Sequence, residues 1–234
     1  MTLQDLARHL TAVALAAVDP ERLAREELSR RGERFGSVLA LGKAGAAFAR
    51  GVGSGMARRL LIRPHRSSGL LDPGWEQRTG GHPVPDRQSM AAGEWLARWF
   101  GEIPPHPLLV LVSGGASACL EFPAPGLTLE DLVTTQRELL ASGLSIQAVN
   151  TVRKHLSRLK GGGALRATGG RLPRILTLLL SDVPGDDPSA IASGLSPPIP
   201  RPTKRPWRLC AGWRCPRASA GTWKRVSGGR SPRR

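Results

Sequence analysis

Tyrosine is absent from this chain of 234 residues, cysteine occurs three times, and no acidic residue lies beyond Asp187. Each shortage excludes something. Cys119, Cys210 and Cys215 cannot form an even-numbered disulfide framework, and a C-x4-C pair with no histidine beyond it makes a poor zinc site. No apolar run approaches the ~18 residues that cross a bilayer. Asp5 and Arg8 interrupt the first apolar stretch, so the separated basic and hydrophobic regions of a signal peptide are missing. A cytoplasmic location with no membrane partner is the expectation by default. Two nucleotide-binding signatures are also missing. The Walker pattern G-x-x-x-x-G-K-[ST] does not occur, and Gly51-Val52-Gly53 has Met56 where G-x-G-x-x-G needs its third glycine and follows a helical rather than a strand pattern.

What is present is a large positive charge, formally +16, unevenly placed. Of the 34 Lys and Arg, 11 fall between Pro188 and Arg234, which leaves 23 bases against 18 acids before them, a net of +5. The body is mildly basic and the end strongly so. From Leu195 the mixture of Arg, Pro, Trp, Gly and Ser follows neither a period of 2 nor one of 3.6. We therefore expect an ordered unit over 1–194 and a basic tail over 195–234, either disordered or the product of a shifted reading frame.

Within 1–194 the pattern alternates. Leu3, Leu6, Leu10, Val13 and Ala14 recur at helical spacing behind a Thr2/Asp5 capping pair, and the helix should end near Pro20. Glu21 to Arg31 predicts a second, charged helix. Val38 to Leu41 predicts a strand that breaks at Gly42 into a helical stretch from Lys43 to Ala49. Leu108 to Val112 and Ile175 to Leu180 repeat that grammar, with helical periodicity between them over 128–142 and 149–159, while 67–80 predicts a loop or short edge element. Strands alternating with helices imply an α/β fold, a Rossmann-like parallel sheet with helices on both faces. Ligands of such sheets bind beyond the carboxyl ends of the strands.

The candidate chemistry lies at those ends. Ser113-Gly114-Gly115-Ala116-Ser117 is a tight turn whose glycines let the backbone approach a phosphate or carboxylate. Lys43, at a helix N-terminus where a cation is disfavoured, is better placed pointing at a bound anion. Asp182, Asp186 and Asp187 follow a strand and have the chemistry to hold Mg²⁺ against phosphate oxygens. Asn150, Arg153 and Lys154 share one helical face, with Lys160 and Gly161-Gly162-Gly163 beyond it, so these cations could grip an anionic substrate. His82, between Gly80-Gly81 and Pro83-Val84-Pro85, reads as a turn residue, with a general base as the second reading.

In order along the chain, GKAGAAFA (42–49), GGHPVPDRQS (80–89), LVLVSGGASACLEFPAPGLTLEDL (109–132), LLASGLSIQAVNTVRKHLSRLKGG (139–162) and LLLSDVPGDDPSAIASG (178–194) strongly resemble the glycerate 2-kinase family, also labelled hydroxypyruvate reductase. The resemblance covers about 1–194, the first of that family's two domains. It implies ATP- and Mg²⁺-dependent phosphorylation of D-glycerate to 2-phosphoglycerate. It also implies Lys43 at phosphate or substrate, the loop with Ser113, Gly114, Gly115 and Ser117 at an anion, Asn150, Arg153 and Lys160 lining the site, and Asp182 and Asp186 assisting Mg²⁺. The family usually reads GGGSAL where this chain reads GGASAC at 114–119, so Ala116 and Cys119 depart from it. Two other functions stay open: a nicotinamide-dependent hydroxypyruvate reductase, and nonspecific nucleic-acid binding through the basic tail.

Overall fold

The computed structural model describes residues 2–69, 71–183, 186–188 and 190–195. The expected tail and the nucleic-acid reading that rests on it therefore lie, but for Leu195, outside the described residues. Five strands, β1 (Ser37–Leu41), β2 (Arg58–Pro64), β3 (Glu76–Gly80), β4 (Leu108–Ser113) and β5 (Ile175–Leu180), form one sheet in the order β3-β2-β1-β4-β5. Every pairing is parallel. The α/β reading is borne out. The strands β1, β2 and β3 step outward to one side, and the chain then crosses back to lay β4 on the other side of β1. The reversal opens a crevice beyond the carboxyl ends of β1 and β4.

Eight α-helices accompany the strands among the described residues: α1 (Leu3–Ala17), α2 (Pro20–Arg31), α3 (Gly45–Arg50), α4 (Arg87–Glu102), α5 (Ala116–Cys119), α6 (Leu129–Ala141), α7 (Ile146–Leu156) and α8 (Gly163–Ala167). Because strand side chains alternate, the sheet feeds two cores. Leu39, Leu41, Leu60, Ile62, Val110 and Val112 pack under α4 with Leu96, Trp99 and Phe100. Val38, Ala40, Leu61, Leu109 and Leu111 face the opposite way, against Ala24 of α2 and Phe48 of α3. A third, smaller core joins α6 to α7 through Leu132, Leu139, Val149 and Val152.

The local signals hold where they were strong. Thr2 and Asp5 form a complete capping box on α1, and Pro20 opens α2 behind Asp19 while Gly32, at φ 63°, closes it. Gly51 caps the end of α3, so the incomplete glycine pattern is a helix terminus and no dinucleotide turn. The segment 67–80 does end in an edge strand, β3. Three elements lacked a sequence signal that we read: β2, α4 and α8. The helical reading of 149–159 runs too far, because α7 stops at Leu156. There Arg158 N–H donates to the Phe122 carbonyl (2.7 Å) and Ser157 bridges to Pro123, pulling the chain out of the helix.

The helix α4 lies so close to the segment after α5 that a Cβ on Gly93 would overlap the Glu121 carbonyl, whereas a Cβ on Gly101 in the same helix meets nothing within 4 Å. Gly93→Ala should therefore destabilise the fold by about 1–3 kcal/mol through forced backbone movement. Gly101→Ala should stabilise it by about 0.5–1 kcal/mol through helix propensity. Urea unfolding followed by circular dichroism checks both, and equal effects of the two substitutions would contradict the close approach.

Candidate anion and phosphate site

The site begins with a knot between two adjacent strand ends. Ser113, the last residue of β4, donates its hydroxyl to the Leu41 carbonyl (3.1 Å) and accepts the Ala44 N–H (3.0 Å), while Lys43 N–H donates to the Gly114 carbonyl (2.9 Å). Gly42 sits at φ 97°, and a Cβ there would overlap the Ser113 carbonyl, so only glycine lets the two turns touch. Ser113 itself is buried, so its task is to hold the turns and not to meet a ligand. A cavity of about 200 Å³ opens beside the knot, lined by His82, Gly114, Gly115, Ser117, Asn150, Arg153 and Asp182 among others.

Each wall comes from a different element. Gly115, at φ 85°, turns the chain into α5, whose first turn has no side-chain cap. The Lys43 side chain lies along that glycine, its Cγ 3.0 Å and Cε 3.2 Å from where a Cβ would stand, and His82 Cδ2 is 3.3 Å from the same point. Asp182 rests over Gly114 so closely that a Cβ there would overlap its carboxylate. His82 is held by its turn: Asp86 caps α4 with Ser89, and the Ser89 hydroxyl accepts the Gly81 N–H (2.9 Å). Gln136 of α6 donates to the Pro83 carbonyl (3.2 Å), pinning the same turn from the far side. The reading of His82 as a turn residue holds, yet its ring also faces the cavity.

At the back of the cavity runs a buried chain of hydrogen bonds. Ser117 Oγ meets Ser193 Oγ (2.8 Å), Ser193 Oγ donates to Asn150 Oδ1 (2.9 Å), and Asn150 Nδ2 donates to the Ala190 carbonyl (3.2 Å). Asn150 thus ties α7 to the 190–193 segment as well as bordering the cavity. Arg153, one turn further along α7, is half-buried and has no hydrogen-bond or ion-pair partner among the described residues. Burial pulls its pKa down, opposed by the field of Glu121.

Several expected site residues do not line the cavity: Lys43 lies beside its Gly115 without being part of the lining, and Asp187 is absent from it as well. Lys160 is off the cavity wall: it is fully buried, its Nζ bonded to Glu121 Oε1, because α7 ends before it and the chain turns inward. Lys154 is absent from the lining too and feels Asp187 instead. Asp186, at φ 50°, is exposed and also absent from the lining, which leaves Asp182 as the carboxylate on the wall. No group of three metal-binding side chains occurs among the described residues. Sequence reasoning missed Glu121 and Ser193. Glu121 was detectable as a lone acid inside the apolar run from Ala118 to Ala124.

The charges around His82 set its protonation. Burial lowers its pKa first, Lys43 and Arg153 lower it further, and Asp182 acts the other way. The imidazole is therefore neutral at pH 7.

A family described as Domain of unknown function (DUF4147) matches residues 6–220. The chain belongs to that family. Among its relatives, a hydroxypyruvate-reductase-named protein of Agrobacterium vitis is 39% identical over 205 residues, which is 86% of this chain and 46% of the relative. The D-glycerate 2-kinase of Thermotoga maritima is 33% identical over 200 residues, covering 82% of this chain and 47% of that protein. The crystal structure of a glycerate kinase from the same organism superposes with a TM-score of 0.80 at 28% identity, over 96% of this chain and 54% of that one. The expected kinship with glycerate 2-kinases is borne out, and this DUF4147 chain spans about half the length of the curated relatives it matches.

Because two cations depress the His82 pKa and one carboxylate supports it, Lys43→Met should raise its titration midpoint and Asp182→Asn should lower it. Side-chain nitrogen NMR across the acid to neutral range reads both shifts, and movement in the reverse directions would contradict the arrangement.

Proposed function

We propose that this domain holds D-glycerate and the terminal phosphates of ATP, as one side of a cleft that phosphorylates D-glycerate to 2-phosphoglycerate. The observation that carries this reading is the convergence of two cations without ion-pair partners among the described residues, Lys43 and Arg153, with one carboxylate, Asp182, at the carboxyl ends of β1, β4 and β5. Phosphoryl transfer asks a protein mainly for positioning and for cations where charge accumulates. The relatives named as D-glycerate 2-kinase and glycerate kinase support the same chemistry.

The cavity, at about 200 Å³, is below the ~300 Å³ at which pockets for drug-sized molecules begin. It suits a three-carbon acid and a phosphoryl group, and leaves the adenosine end to be held outside it. Arg153 pairs with the acid's carboxylate, and Lys43, lying along Gly115, neutralises phosphate oxygens. His82 is neutral and able to take the proton of the acceptor hydroxyl as its oxygen bonds to phosphorus and the bond to ADP breaks. Mg²⁺ fits the donor set here, since it keeps most of its waters and needs one or two carboxylates beside phosphate oxygens. Asp182 is exposed at the wall and would hold it. When bound, the ion would neutralise phosphate charge.

The reductase reading has the name of the Agrobacterium relative in its favour, but the turn after β1, Gly42-Lys43-Ala44-Gly45-Ala46-Ala47, lacks the G-x-G-x-x-G spacing with which a dinucleotide fold approaches a pyrophosphate. Isothermal titration should show D-glycerate binding that Arg153→Met weakens roughly tenfold or more, since charge-assisted hydrogen bonds contribute about 1.5–3 kcal/mol. Undiminished binding in that variant, or oxidation of NADH on adding hydroxypyruvate, would overturn the proposal.

A further inference from the structure

Behind the cavity lies an ion pair that the proposed chemistry does not use. Lys160 is 1% exposed and Glu121 5% exposed, both among the most buried polar groups of the chain. Lys160 Nζ bonds Glu121 Oε1, while Glu121 Oε2 is buried with no hydrogen-bond partner among the described residues. Arg153 lies within the field of both: Glu121 acts on its charge, and its charge acts on Lys160. Two cations thus share one carboxylate, and the surplus positive charge sits on the member that borders the cavity.

A buried pair of this kind is a poor device for stability, because desolvating two ions offsets most of their attraction and an apolar replacement is often neutral or better. Its placement suggests another purpose. We propose that Lys160 occupies Glu121 so that Arg153 stays free for a small anion in the cavity, making the Lys160–Glu121 pair a positioning element that sets anion affinity. The inference rests on the reading of the cavity as an anion site. Remove the Lys160 charge, and Glu121 has an open oxygen and no counterion except Arg153, which it would draw away from the ligand.

The same geometry makes affinity depend on pH. The groups that act on Lys160 are Glu121 from the segment after α5, Arg153 from α7 and Cys119 from α5, whose burial pushes its thiol up to about 12 and keeps it neutral. Burial brings Lys160 down to about 8, with Arg153 adding to the shift and Glu121 opposing it. As pH rises through that value Lys160 loses its proton, Glu121 turns to Arg153, and the cavity loses its surplus charge.

The test is titration of the chain with D-glycerate and, in parallel, sulfate, each of fixed charge from neutral to mildly alkaline pH. At neutral pH, Lys160→Met should weaken both anions roughly tenfold or more, Lys160→Arg should bind as the parent does, and the double variant Glu121→Gln with Lys160→Met should recover binding. Parent affinity should fall as pH passes about 8, and in the double variant that fall should vanish. The pH dependence is a readout that a purely structural pair would not set, and it remains available if Lys160→Met fails to fold. A parent whose affinity is flat through this range, or a double variant that keeps the fall, overturns the inference. Binding of sulfate without D-glycerate would remove the acid reading and leave this one standing. Binding of neither would remove both.

Discussion

The knot between Leu41, Ala44 and Ser113 is the constraint on which the site depends. Adjacent parallel strands end side by side, but their following turns would ordinarily diverge as the helices leave toward opposite faces of the sheet. Here one hydroxyl at the end of β4 bonds the end of β1 and its turn at two points, accepting from Ala44 and donating to Leu41, and Lys43 adds a backbone bond to Gly114. The crevice at the switch in strand order thereby gains a fixed floor. Everything at the wall is measured from it: Gly115 turns just past the knot, Lys43 is carried on its other strand end, and Asp182 reaches over Gly114 from the neighbouring β5.

Electrostatics then follows from placement. A cavity with Arg153 and Asp182 on its wall and Lys43 beside its Gly115 keeps a surplus of positive charge, and a low-dielectric backing makes that surplus count for more than it would on an open surface. His82 registers this field, since burial first, and then the cations that would attract an anion, lower its pKa. Behind the wall the arrangement is reversed. Glu121 is in contact with Lys160 and under the influence of Arg153, so the carboxylate available to cancel the cavity's charge is already engaged. The cations therefore divide into Lys43 and Arg153, which have no ion-pair partner among the described residues, and Lys160, which is buried against Glu121.

Much of this was legible in the sequence, for identifiable reasons. β1, β4 and β5 are short apolar runs, and the turns after β1 and β4 carry glycines that backbone contact requires, so the strand ends could be read as a cleft before any coordinates. Asn150 and Arg153 were readable as one helical face because their spacing follows the helix. Lys160 was not, since whether a lysine past a helix end turns outward or inward depends on the Phe122–Arg158 bond, a contact between distant segments. The strand β2 begins with two arginines that salt-bridge or stack on side chains far away in sequence, which hides its apolar centre. α4 mixes Gly93 and Gly101 with two tryptophans, and only the sheet beneath it makes sense of that composition. His82 needed the positions of Lys43 and Arg153, which no spacing along the chain conveys.

The two departures from the usual family motif, Ala116 and Cys119, gain a physical meaning from their burial. Both are fully buried in the core that α4 shares with the sheet, and Cys119 Sγ donates to the Ala116 carbonyl at 3.6 Å, so each faces the interior and is satisfied there. Ala116 stands one residue after the turn that needs a positive φ, a helical position that any small residue can occupy. Gly115, which does need it, is retained, and so is Ser117, whose hydroxyl connects the loop to Ser193 and Asn150. The thiol of Cys119, held neutral by burial, is inert as a nucleophile, a role that requires the thiolate. The changes thus alter how α5 packs and leave the cavity wall its chemistry. A sequence motif can change two of its letters without altering the cavity when the side chains concerned face the core, as Ala116 and Cys119 do.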